Sequence, residues 1–259
     1  MNTFRQVKRA IIIIVATLLT YVTYRYLVGH LLSGSLSKLW LVLLWLFTAY
    51  VVLPQIHRIL VKIYVPDYFI GRTRTGDGLL GDPVNLAVIG SKAALRSAMH
   101  DAGWQPADEL SAATSWKMFR STVLRRSYPT APVSSLFLFG QKQTLAFQQE
   151  VDGDTFRRHH VRFWPTPKKW WLPGGYHADW LGAATYDKGV GFSAFTLQFT
   201  HKIEEKIDIE RDYVVATLKK TGRVRRVAMV EHYASGYHGR NGGGDSIKTD
   251  GNLPFIHLS

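Results

Sequence analysis

Two long apolar runs open the chain, and after about residue 84 short alternating segments replace them. The first run, "AIIIIVATLLTYVTYRYLV" (10–28), carries Arg25 and hydroxyl groups as its only polar side chains. The second, "LWLVLLWLFTAYVVL" (39–53), reaches roughly 20 residues when Leu36 and the flanking "PQI" are counted, the length that crosses a bilayer. Gly29, Ser33, Gly34, Ser35 and Ser37 supply turn chemistry between them. The pattern predicts a two-helix transmembrane hairpin within residues 1–70, with Tyr21, Tyr24, Tyr26, Trp40 and Tyr50 suited to interfacial belts. A cleaved signal peptide fits less well: no small-x-small site follows the first run, and the second arrives too soon. "HRILVKIYVPDYFIGR" (57–72) then sets Ile59, Leu60, Ile63 and Tyr64 at helical spacing. It reads either as a juxtamembrane extension lying on the headgroups or as a continuation of the second helix ended by Pro66.

"GRTRTGDGLLGDP" (71–83) reads as a linker, placed at 71–81. Beyond it the period changes. "VNLAVIG" (84–90) predicts a strand, and "SKAALRSAMHDAGW" (91–104) a helix with Ser91 as N-cap and Gly103 as stop. Strand patterns follow at 134–140, 144–151, 158–164, 180–187 and 195–203. A second helix is predicted at 208–222, with Asp208 as N-cap, Lys219 and Lys220 in the last turn and Gly222 as stop. "RVRRVAMVEHY" (223–233) predicts a last strand. Strands gathered between two separated helices predict an α+β fold, with a largely antiparallel sheet and two or three helices, over 82–235. Residues 236–259, rich in Gly, Asn and Asp, read as a flexible tail.

Charge adds sidedness. The net charge is +13, and residues 1–80 hold nine Lys/Arg against two acidic residues. Basic density is therefore highest where the chain is most apolar, which points to a membrane edge before it points to nucleic acid. Arg5, Lys8 and Arg9 precede the first run; Arg58, Lys62, Arg72 and Arg74 follow the second. The positive-inside rule then places both ends, and the folded domain, in the cytoplasm. The chain has no cysteine, so disulfides, thiolate metal sites and cysteine nucleophiles are excluded.

Three segments in order, "RRHHVRFW", "WLGAATYD" and "THKIEEKIDIERDYVVATL", preceded by "GDPVNLAVIGSKAALRSAMHDAGW", resemble the LssY C-terminal domain over roughly 82–232. The resemblance implies a membrane-linked bacterial protein, hence an inner-membrane location, and the family's name comes from a secretion-associated locus. It implies no particular activity. Better-known members carry DedA-like and phosphatidic-acid-phosphatase-like membrane domains, which the hairpin does not match. "ASGYHGR" (234–240) breaks the Pro-Ser-Gly-His signature that such a phosphatase needs.

The chemistry concentrates in "RRHHVRFWPTPKKWW" (157–171). Strand alternation puts Arg158, His160, Arg162 and Trp164 on one face and His159, Val161 and Phe163 on the other. One reading joins His160 or His159, Asp187 and His201 with Asp208 or Glu210. Two imidazoles and a carboxylate would hold zinc, manganese or iron, or would work metal-free as a general base on water. The competing reading makes the histidines satisfied sheet residues and sets Asp208, Glu210 and Asp212 against a helix N-terminus. No H-E-x-x-H, G-x-S-x-G or P-loop lysine decides between them, no particular cofactor is indicated, and "GRNGGG" reads as a loose turn. Arg158, Arg162, Trp164, Lys168, Lys169 and Trp170, with Arg211 on the second helix, form a cationic, aromatic set. It suits an anionic lipid, another envelope component or a membrane partner protein better than nucleic acid, because the predicted hairpin already holds the domain at a membrane.

Overall fold

Side chains alternating with period two dominate the chain beyond residue 70, and that period builds sheet. The computed structural model describes residues 38–57, 71–109, 130–151, 153–193, 197–234 and 238–259, with scattered positions in 14–29 and 111–128. Helix α1 (Lys38–Phe47) continues through a π-helical stretch, Thr48–Val52, to His57. Strands β1 (Arg72–Thr75), β2 (Leu80–Pro83) and β3 (Leu86–Ile89) precede helix α2 (Lys92–Asp101). Next come β4 (Gln105–Pro106), β5 (Leu136–Leu138), β6 (Gln141–Lys142) and β7 (Leu145–Val151). The long strands β8 (Asp154–Pro165) and β9 (Trp180–Ser193) follow, then β10 (Gln198–Ile203) and helix α3 (Ile207–Lys220). Strands β11 (Val224–Val230), β12 (His238–Arg240), β13 (Ser246–Lys248) and β14 (Leu253–Leu258) end the chain.

Among the described residues the fold is α+β. An eight-stranded sheet runs β11-β14-β3-β9-β8-β7-β4, with β10 added on β9, and every pairing is antiparallel except β14 with β3. Both its faces are covered. On one, Leu95 and Met99 of α2 and Val214 and Leu218 of α3 pack on Val161, Phe163, Leu86 and Ile256. On the other, Leu136 and Leu138 of a four-stranded sheet, β2-β1-β5-β6, pack with Trp164, Leu181, Leu253 and Phe255. Burial on two faces is what a central strand such as β3, "LAVI", needs.

Leu39–His57 is a single helix of 19 residues with mean hydropathy 2.0, long and apolar enough to cross a membrane. Leu39, Leu43, Leu46 and Val51 are exposed along it, so the domain core does not account for its hydrophobicity. The first expected span, 10–28, and the juxtamembrane extension, 57–72, lie largely outside the described residues. One apolar helix of spanning length, and not a two-helix hairpin, is therefore present among the described residues.

Three expectations change. The 71–81 linker is instead mostly the β1–β2 hairpin: "RTRT" carries no apolar side chain, yet Thr73 is buried with its hydroxyl on the Asp82 carbonyl. The flexible tail 236–259 instead holds β12, β13 and β14, and β14 lies inside the large sheet. The N-cap of α3 is Lys206, two residues before Asp208. The start of α2 matches the reading of its sequence, since the Ser91 hydroxyl accepts from the Ala94 N–H. Ser91→Ala is expected to cost about 1 kcal/mol, read as a lowered urea midpoint with an unchanged slope.

Candidate functional site

Strands β8 and β9 lie side by side, with Arg158 opposite Asp187 and His160 opposite Thr185. Alternation turns Arg158, His160 and Arg162 to the face covered by the small sheet, where all three are buried. Buried charge has to be paired, and here it is. Asp187 accepts from Arg158 Nε at 3.1 Å through Oδ2 and from His160 Nε2 at 2.8 Å through Oδ1. Arg162 Nη1 donates to Asp82 Oδ2 and to His160 Nδ1, both at 3.0 Å. Because Nδ1 accepts from a guanidinium, the ring proton of His160 sits on Nε2 and points at Asp187. Arg158 also donates to Gln148 Oε1 at 3.2 Å, and Arg162 to the Ser134 hydroxyl at 3.2 Å.

His201 enters from β10. Its Nε2 accepts from Arg158 Nη2 at 3.3 Å, and its Nδ1 lies 3.5 Å from Asp187 Oδ2 but is not aligned to bond it. Burial pushes the His201 pKa down; Asp187 pulls it up, and Arg158, His160 and Arg162 push it further down. The ring is neutral at pH 7. Burial alone would raise the Asp187 pKa, but His160, by charge and hydrogen bond, together with His201 and Arg158, holds the carboxyl below the ordinary range.

These side chains floor a cavity of about 290 Å3. Ser134, Thr75 and Thr200 add hydroxyl groups, and Asn241, Gly242 and Gly243 close one side. The "NGGG" segment is thus a wall, not a loose turn. Gly242 N–H donates to the Leu80 carbonyl at 2.7 Å, and a Cβ at Gly242 would stand 2.8 Å from Leu79 Cβ, so only glycine fits there.

The structure brings His160, Asp187 and His201 together and leaves Asp208 out. The Asp208 carboxylate takes the Thr249 hydroxyl, the Asp250 N–H and Arg211. Arg211 is itself buried among Asp208, Asp212 and Asp250, so it ties α3 to the chain before β14 and faces no ligand. His159 lies on the helix side, bonded to Glu210 at 2.7 Å and stacked on Tyr213; burial pushes the Glu210 pKa up. Trp164 is core, at 0 % exposure. Trp170 packs on Phe139, while Lys168 and Lys169 are exposed on the loop after β8. Sequence reading missed Asp82, Gln148, Ser134 and Thr185. Gln148, fully buried inside a strand, was the detectable one, since a polar residue at an inward position must have a partner.

No group of three His, Asp or Glu side chains suited to a metal stands among the described residues. The donor set explains this: both ring nitrogens of His160 are engaged, and the Arg158 guanidinium lies against His201. The cluster sets two buried guanidiniums, each paired with a carboxylate, against a cavity that also carries hydroxyl groups.

Comparison with known proteins agrees with the sequence resemblance. A family model described as the LssY C-terminus matches residues 62–253. Neither the curated proteins nor the solved structures contain a significant match. The matched region runs from β1 into β14 and takes in every residue of the cluster, so the chain belongs to the LssY C-terminus family.

Proposed function

We propose that this chain is a membrane-tethered binding domain that takes a phosphoryl or carboxylate group of an envelope component into the cavity above Arg158 and Arg162. The observation that carries the reading is the pair of buried guanidiniums, four residues apart on one strand face, opening onto one cavity. Leu39–His57 supplies the tether. The basic flanks of the apolar runs support placing the domain on the cytoplasmic side of a bacterial inner membrane, within reach of an anionic lipid or a membrane partner protein. Asp82 and Asp187 already balance the two arginines, so the fixed charges around His201 cancel. An incoming anion therefore brings a proton onto His201, and binding tightens as pH falls.

Sulfate is the probe, because its charge is constant across the range. For the full chain in neutral detergent at matched ionic strength, saturating sulfate is expected to raise the unfolding midpoint by about 5–10 °C at pH 5.5. A smaller rise is expected at pH 7.5. His201→Gln should remove the pH difference. Phosphatidic acid in mixed micelles, compared with free phosphate, tells a lipid headgroup from a soluble anion. Equal midpoints with and without sulfate at both pH values would remove the reading.

A further inference from the structure

Past Asp187, the register pairs of β9 among the described residues are with β10: Gly189–Ser193 against Gln198–Lys202. The two strands thus leave the sheet as a hairpin, and its faces differ. One face carries Gly189 and Gly191 and is tied to the wall of the cavity. The Lys202 side chain lies over Gly191, and its Nζ reaches Asp245 at 2.9 Å. Val190 and Phe192 alternate onto the other face, which they share with His201, the register partner of Val190, and they are 45 % and 46 % exposed. Lys188, at the register shift where the hairpin leaves the sheet, is exposed as well, with Glu204 3.8 Å away. The sequence through the end of the hairpin, "VGFSAFTLQF" (190–199), is largely apolar.

The end of this hairpin touches the apolar helix. Trp45 Nε1 donates to the Leu197 carbonyl at 2.9 Å, which joins the two across 152 residues of sequence. Trp45 lies within the spanning-length helix, about 18 Å along its axis from His57. The cationic, aromatic loop 166–179 lies elsewhere. It enters β9 at Trp180, and Ser193 stands about 43 Å further along an extended strand. Trp171, the exposed aromatic of that loop, is therefore at the end of β9 away from the tether.

We propose that the β9–β10 hairpin meets the lipid bilayer beside Leu39–His57, laying Val190 and Phe192 among the acyl chains below the headgroups. An apolar surface next to an apolar helix that itself needs a nonaqueous surrounding has one solvent that suits both. The Trp45 indole caps the Leu197 carbonyl, so that acceptor is already bonded at the hairpin's end, where an unpaired group would be unfavourable in hydrocarbon. Lys188 then stands at headgroup level, where anionic lipid attracts it. Because His201 is on β10, seating the hairpin brings the mouth of the cavity down to the headgroups. The inference rests on the tether half of the proposed function and not on the anion pocket.

The chain has no cysteine, so single labels are clean. Val190→Cys, Phe192→Cys and Trp171→Cys, each carrying an environment-sensitive fluorophore, would be reconstituted as full chains into phosphatidylcholine vesicles with a minority of phosphatidylglycerol. Nitroxide attached high on the acyl chains should quench the labels at 190 and 192 at least threefold more than the label at 171. Vesicle flotation run in parallel separates the failures. A chain that floats, with its labels at 190 and 192 quenched no more than at 171, overturns the hairpin contact alone. A chain that does not float overturns the tether and the hairpin contact together.

Discussion

Removal of residues 253–259 is expected to abolish cooperative unfolding, leaving a full-length tether on a chain with no near-UV dichroism. Strand β14 lies between β11 and β3 in the large sheet, bonded to both. Leu253, Phe255, Ile256 and Leu258 are all buried, on both faces of the sheet. Burying each is worth about 1.5–3 kcal/mol, so the four together contribute about 6–12 kcal/mol. That is the size of the whole stability of an ordinary domain. The deletion also strips β3 and β11 of their shared neighbour, which leaves β11 without its ladder. A milder variant checks the same point: Ile256→Ala should lower stability by about 2–5 kcal/mol in urea unfolding. A truncated chain that still melts cooperatively near the parent midpoint would mean that the sheet closes without β14.

This strand was also the hardest to read in the sequence. "LPFIHL" holds a proline, does not alternate cleanly, and follows a run of Gly, Asn and Asp that signals loop. Its partner β3 lies near residue 87, so the pairing that makes it a strand is not a local property. The β1–β2 hairpin was missed for a related reason. "RTRT" alternates, but in polar residues, and only the burial of Thr73 against Asp82 reveals its inward side. Elements with local signals were legible. The Ser91 cap, the positive φ of Gly103 (+81°), and the alternation of β8 are all fixed by near neighbours in the chain.

The candidate site divides the same way. Residue type and alternation correctly put Arg158, His160 and Arg162 on one face and nominated Asp187 and His201 beside them. Alternation says which side chains share a face; it does not say whether that face meets water. A polar face on an antiparallel strand is ordinarily the wet one. Here a second sheet covers it, so the charges that read as solvated became a buried, fully paired network. Trp164, which the sequence placed in the cationic, aromatic set, is instead core for the same reason: it is part of that covering contact.

Asp187→Ala is expected to destabilise the domain by about 3–5 kcal/mol at pH 7, the usual cost of leaving a buried ion-pair partner alone. Asp187 holds Arg158 by Nε and His160 by Nε2, so its loss strands a guanidinium with no counter-charge and removes the acceptor that fixes the His160 ring. Asp187→Asn keeps a hydrogen-bonding side chain but not the charge, and should fall between the variant and the parent. Acid separates charge from shape. The folded-state pKa of Asp187 lies below its unfolded value near 3.9, so the stability it contributes is complete above about pH 5 and is lost as pH falls through the folded-state value. The gap between the urea midpoints of the parent and Asp187→Asn, measured from pH 7 down to pH 2, should therefore begin to narrow below about pH 4 and keep narrowing toward pH 2. A constant gap across that range would mean that Asp187 stabilises by packing and not by its charge. A loss of less than about 1 kcal/mol in Asp187→Ala would mean that Arg158 reaches water and that the cluster is not a dry floor to the cavity.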